Sequence, residues 1–198
     1  WNSLQTDFPK SKVLNRAFGG SMMTDLIYFF NQVVAPYNPR QVVIYEGDND
    51  LFETTKTPDN FMEDVITMAR LINIYFPNAE ILLVSIKPSP SRTASFPKYL
   101  TANSLMKSYA EKNAHIKYLD TWTPMLKQDG TPETSYFLAD MLHMNASGYA
   151  LWKSILEPHL LTSDFVTPDK TVFTESSHAL YHDFSWVNVT APSVFNTV

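Results

Sequence analysis

The chain has 198 residues, 44% hydrophobic and 18% charged, with a net charge of −5 and no cysteine. Its length and apolar content suit one globular domain with a sizeable core. The composition excludes a disulfide framework and thiolate metal sites, and the absence of any basic block argues against nucleic acid as a partner.

Residues 12–15 (KVLN) read as a short strand, and residues 24–35 as a helix that Thr24 or Asp25 would cap. Residues 41–46 (QVVIYE) form a β-branched run ending at Gly47, as a buried parallel strand would. A strongly periodic helix follows from Pro58 to Phe76, with Phe61, Val65, Ala69 and Ile72 on one face. Residues 80–86 (EILLVSI) are a second apolar strand, 99–113 a helix, 115–119 (HIKYL) a strand, and 145–160 a last helix capped by Asn145. This alternation predicts an α/β fold with a central parallel sheet between two helical layers. Ligands in such folds bind beyond the C-terminal strand ends. The division expected is a domain over 1–160 and a C-terminal extension over 161–198, where residues 171–174 (TVFT) are a strand candidate.

No run approaches the ~20 apolar residues of a membrane-spanning helix, and no signal peptide is visible. The chain opens on Trp1 and not on Met, which points to a processed or incomplete N-terminus.

Three short blocks carry chemistry. Asp140 precedes His143 by three residues, so its carboxylate can fix one imidazole nitrogen and leave the other as a general base. The plain alternative is a loop before a helix. Gly47-Asp48-Asn49-Asp50 follows a strand, and Asn49 there can aim its NH₂ at a developing oxyanion; the alternative is an ordinary turn. Residues 15–21 (NRAFGGS) lie between a strand and a helix, where Gly20 lets the backbone approach a ligand. Phosphate-loop and dinucleotide patterns are both absent.

The order and spacing of these blocks resemble the SGNH (GDSL-like) esterase and acylhydrolase family, over about residues 1–160. FGGS at Gly20, GDND at Asn49 and DxxH at Asp140 and His143 match three of its blocks, and residues 85–92 (SIKPSPSR) resemble one acylhydrolase branch. The resemblance implies a flavodoxin-like three-layer α/β/α fold and serine-dependent ester hydrolysis without a cofactor. His143 would be the base, Asp140 its orienting partner, and the Gly20 N–H and Asn49 the oxyanion hole. A small-molecule ester substrate is implied, with small acyl or acetyl esters, some on carbohydrate, as the expected class. Residues 51–57 and 89–96 are the expected pocket loops. Secretion or the periplasm is the setting the family suggests.

The nucleophile block is missing from its expected place. In the resembling branch it reads like G-S-S-S-I-R-x-W, and its trailing Trp matches Trp1, which would put the block before the first residue given. Ser3 lies past the expected turn and Ser21 belongs to the glycine block. Without the first strand, residues 12–15 and 41–46 would face a gap with unpaired backbone groups, which are costly when buried. Residues 172–182 (VFTESSHALYH) can be laid on the missing block, with Ser177 as the nucleophile; Glu175 then stands where the family has glycine. Strand exchange between copies, giving a homo-oligomer, is a third route to filling the gap. His159, His178 and His182 lack metal-ligand spacing, and Asn188-Val-Thr190 fits the N-glycosylation pattern. The rival to an enzyme is a non-catalytic binding or assembly protein on the same fold.

Overall fold

The computed structural model describes residues 1–52 and 54–162. The expected strand at 171–174 and Ser177 therefore lie outside the described residues.

Among the described residues, three parallel strands form the sheet: β1 (Gln41–Ile44), β2 (Glu80–Val84) and β3 (Ile116–Leu119), in spatial order β1-β2-β3. Gln41 pairs with Glu80 and Ile44 with Leu83, and Ile81 pairs with Ile116 across the other edge of β2. The helices are α1 (Leu4–Asp7), α2 (Met23–Tyr28), α3 (Phe30–Val33), α4 (Asp48–Leu51), α5 (Pro58–Tyr75), α6 (Phe96–Glu111) and α7 (Ala146–Leu156).

Side-chain alternation along β2 builds two cores. Ile81 and Leu83 join one core with α2, α5 and α6, through Ile27, Phe61, Ile72, Tyr99 and Met106. Leu82 and Val84 face the opposite side, where Phe8, Met125, Trp152 and Leu156 pack. A strand buried on both faces must be apolar at nearly every position, which is why EILLV reads as a continuous run. The α/β layering expected from the sequence is present.

Side-chain caps start α5 and α7. The Thr57 hydroxyl accepts from the Asn60 N–H ahead of Pro58, a residue suited to the first helical position. The Asn145 side chain accepts from the N–H groups of Ser147 and Gly148 and so starts α7. The single helix expected over 24–35 is two, broken at Phe29, whose ring packs edge-on against Phe18 and Tyr28. Met22, and not Thr24 or Asp25, is the N-cap residue; the Asp25 carboxylate accepts from the Met22 N–H at 2.8 Å.

Residues 12–15 do not form the expected strand. They run without regular structure, and among the described residues the Val13 N–H donates to the nearby Ser11 carbonyl. A strand exists only by pairing, and among the described residues none lies alongside. β1 has the same deficit on its outer edge, since its one described partner is β2. Between these two segments lies a cavity of about 510 Å³. Val13, Leu14 and Asn15 line one wall, Val42, Val43 and Ile44 the other, and Tyr149 and Trp152 also contribute.

Candidate active site

His143 and Asp140 meet as their spacing predicts. His143 Nδ1 lies 2.6 Å from Asp140 Oδ2. Asp140 Oδ1 accepts from the backbone N–H groups of Leu142 and His143, each at 2.9 Å. Both carboxylate oxygens are thus committed, which fixes the imidazole through Nδ1 and leaves Nε2 for chemistry. The loop closes this way because Met141 adopts a left-handed φ of 56°. The His143 hydrogen bond, then those two N–H groups, pulls the Asp140 pKa down to about 2. The His143 side chain is 71% exposed, which leaves room for an incoming group.

Asn49 sits in α4, directly after Gly47, whose φ is 108°. The acids flanking it are anchors. Asp50 is fully buried and accepts from the N–H groups of Met23 and Gly47 and from Lys56 Nζ. Asp48 is buried against Lys87, Arg92 and the Tyr99 hydroxyl. Burial alone would raise the Asp48 pKa, but Lys87 and Arg92 outweigh it and hold it below the usual range. Held on both sides, Asn49 turns its Nδ2 to the Ser21 carbonyl at 3.0 Å. This contact joins the Asn49 block to the Gly20 block. Gly20 has a φ of 76°, a backbone that favours glycine, and is exposed.

Ser21 is not a nucleophile in waiting. Its Oγ lies 2.6 Å from Glu46 Oε1 and 3.1 Å from the Phe18 carbonyl. Burial pushes the Glu46 pKa up to about 8, against the lowering effect of that Ser21 contact. Among the described residues, no serine hydroxyl bonds His143. Ser3 bonds Asp7, and Ser85 is buried against Thr121. The anchors Asp48 and Asp50 were invisible as such in the sequence, where both read as turn formers. So was Glu46, placed in the strand run.

The cavity beside β1 opens onto this site: Glu46, Lys87 and His143 all line it. Among the described residues, no group of three or more His, Asp or Glu is placed to hold a metal ion. No described helix is long and apolar enough to cross a membrane.

A family model of the GDSL-like lipase/acylhydrolase family matches residues 1–151. The chain belongs to that family. Solved structures agree on the fold. A protein assigned as a platelet activating factor from Streptococcus pneumonia aligns with a TM-score of 0.71 at 20% identity, covering 80% of this chain and 77% of that one. A protein assigned as an acylhydrolase from Bacteroides fragilis gives 0.70 at 21%, covering 80% and 78%. A carbohydrate esterase of family 3 from Talaromyces cellulolyticus gives 0.52 at 17%, covering 71% and 66%. No curated protein sequence matches. Family membership and esterase neighbours support ester hydrolysis in general.

Proposed function

We propose that this chain hydrolyses small carboxylic esters by a serine–histidine–aspartate mechanism. The carrying observation is the dyad: both Asp140 oxygens are engaged by the His143 loop, and the exposed His143 side chain lines the cavity. His143 takes the proton of a serine hydroxyl as its oxygen attacks the ester carbonyl. The Gly20 N–H and the Asn49 NH₂ hold the resulting oxyanion. His143 then returns the proton to the leaving alcohol, and water releases the acid by the same route. An acetyl esterase and a carbohydrate esterase among the neighbours support acetyl esters and esters on sugars as substrate classes.

The nucleophile proposed is Ser177 of the C-terminal extension, outside the described residues. The exit of the described chain supports this. The Leu161 N–H donates to Gln41 Oε1, and Gln41 Nε2 donates to the His159 carbonyl, so the chain leaves at the first residue of β1. A strand entering there and running parallel to β1 ends toward Glu46 and His143.

The second reading, a binding protein that takes a foreign strand in this cavity, is favoured by the lack of any described serine on His143. Initial rates on 4-nitrophenyl acetate, longer acyl homologues and acetylated sugars separate the two. The enzyme reading predicts turnover that falls at least ~10³-fold in His143→Ala. No turnover of any ester, or equal rates in His143→Ala, overturns it.

A further inference from the structure

Asn49 can stabilise an oxyanion only if its amide is held the right way round and at the right distance from His143. The structure contains a bracket for this purpose, in the loop of residues 87–92 after β2. At its C-terminal end, Arg92 Nη2 donates to Asn49 Oδ1 at 3.1 Å. Arg92 Nη1 donates to the Asp48 carboxylate at 2.7 Å and to the Asp48 carbonyl at 2.8 Å. The guanidinium also lies 4.3 Å over the Phe52 ring. Four contacts thus fix it, and Arg92 is only 9% exposed. In the same loop, the Ser91 N–H donates to the Met141 carbonyl at 3.0 Å, and Ser89 Oγ reaches the Leu142 carbonyl at 3.5 Å. One short loop therefore touches Asn49 on one side and the two residues before His143 on the other.

The electrostatics follow. A guanidinium donates only and keeps its proton at any accessible pH, so Asn49 must present its oxygen to Arg92. The NH₂ is then forced the opposite way, with one hydrogen toward the Ser21 carbonyl and the other left for an oxyanion. A cation at the amide oxygen also draws electrons from the nitrogen and strengthens that remaining N–H as a donor.

We propose that Arg92 is a positioning residue for ester hydrolysis, setting the orientation and donor strength of Asn49 while its loop fixes that donor relative to His143. The proposal rests on the ester-hydrolase reading for its kinetic consequence, but not for its structural one.

The test compares Arg92→Gln, Arg92→Lys, Asn49→Ala and the double variant Arg92→Gln/Asn49→Ala, each in the full chain. Arg92→Gln is expected to lower kcat about 10-fold or more with KM changed less than about 2-fold, and Arg92→Lys to recover part of the loss. In the Asn49→Ala background, Arg92→Gln should change kcat by less than about 2-fold, because the group it acts through is gone. A purely structural role would instead multiply the two losses, and that result overturns the proposal. A second readout needs no activity. The Asn49 side-chain amide resonances, identified by their loss in Asn49→Ala, should shift in Arg92→Gln and return toward wild type in Arg92→Lys. If the wild-type chain turns over no ester, the hydrolase reading fails and this spectrum alone decides: unmoved Asn49 signals overturn the positioning role. If Arg92→Gln does not fold, Arg92→Lys carries the same comparison.

Discussion

Val43 and Leu82 are register partners on adjacent strands and face the same side of the sheet, yet Leu82 is fully buried while Val43 is 41% exposed. The difference is one neighbour fewer among the described residues. β2 is covered by β1 and β3 on its two edges, whereas β1 borders the cavity. An exposed β-branched residue at an unpaired edge is a template for another strand. If another segment of this chain pairs with that edge, the β1 amides that do not pair with β2 exchange slowly in the full chain. Removing residues 163–198 should speed their exchange at least ~10-fold and leave β3 unchanged. Hydrogen exchange read residue by residue checks this.

The Asp140–His143 contact sets a pH signature. Asp140 has its pKa lowered to about 2 from 3.8, chiefly by His143. A carboxylate depressed in the fold stabilises it above the unfolded value, and that contribution is lost as pH falls through the folded one. Here the window runs from 3.8 down to about 2. The Asp140 carboxyl resonance should therefore titrate near pH 2 and move up in His143→Ala. Asp140→Asn should lower kcat by roughly 10³- to 10⁴-fold without unfolding the protein, because the tautomer control is lost.

Glu46 has the opposite sign. Burial raises its pKa from 4.5 to about 8, so the folded chain holds a proton that the unfolded chain releases. Stability should fall as pH rises from 4.5 to about 8. Glu46→Gln should remove much of that slope, seen as a melting temperature that varies less across this range. A steeper slope in the variant would contradict the assignment.

Gly47 and Gly148 are packing positions. A Cβ at Gly47 would lie 2.6 Å from Ile86 Cδ1 and 2.8 Å from Phe61 Cζ, on a backbone with φ of 108°. A Cβ at Gly148 would lie 2.5 Å from the Tyr136 carbonyl oxygen. Gly47→Ala combines overpacking with a disfavoured φ and should cost about 2–4 kcal/mol in denaturant unfolding. Gly20→Ala, with open space around it, carries the φ penalty of about 1–2 kcal/mol alone.

The parts of this molecule legible in its sequence are those set by local pattern. Ile81 to Val84 announce a doubly buried strand because every side chain there meets a core, and Asn145 announces α7 because its side chain caps it. The Asp140–His143 pair was legible because three residues of separation suffice to join them. Other features depend on partners far along the chain. Asp48 reads as a turn residue until Lys87 and Arg92 close on it, from 39 and 44 positions away. Residues 12–15 have a strand's composition but no described strand beside them, so composition misled. The break at Phe29 between α2 and α3 has no local signal in the sequence; its ring meets Phe18, outside the helix, as well as Tyr28.

The most direct test of the central claim is labelling of the full chain with a fluorophosphonate, followed by mass mapping of the modified peptide. The account predicts one label, on Ser177, that disappears in His143→Ala because the base is gone. No label, or a label on another serine that is indifferent to His143, would contradict it.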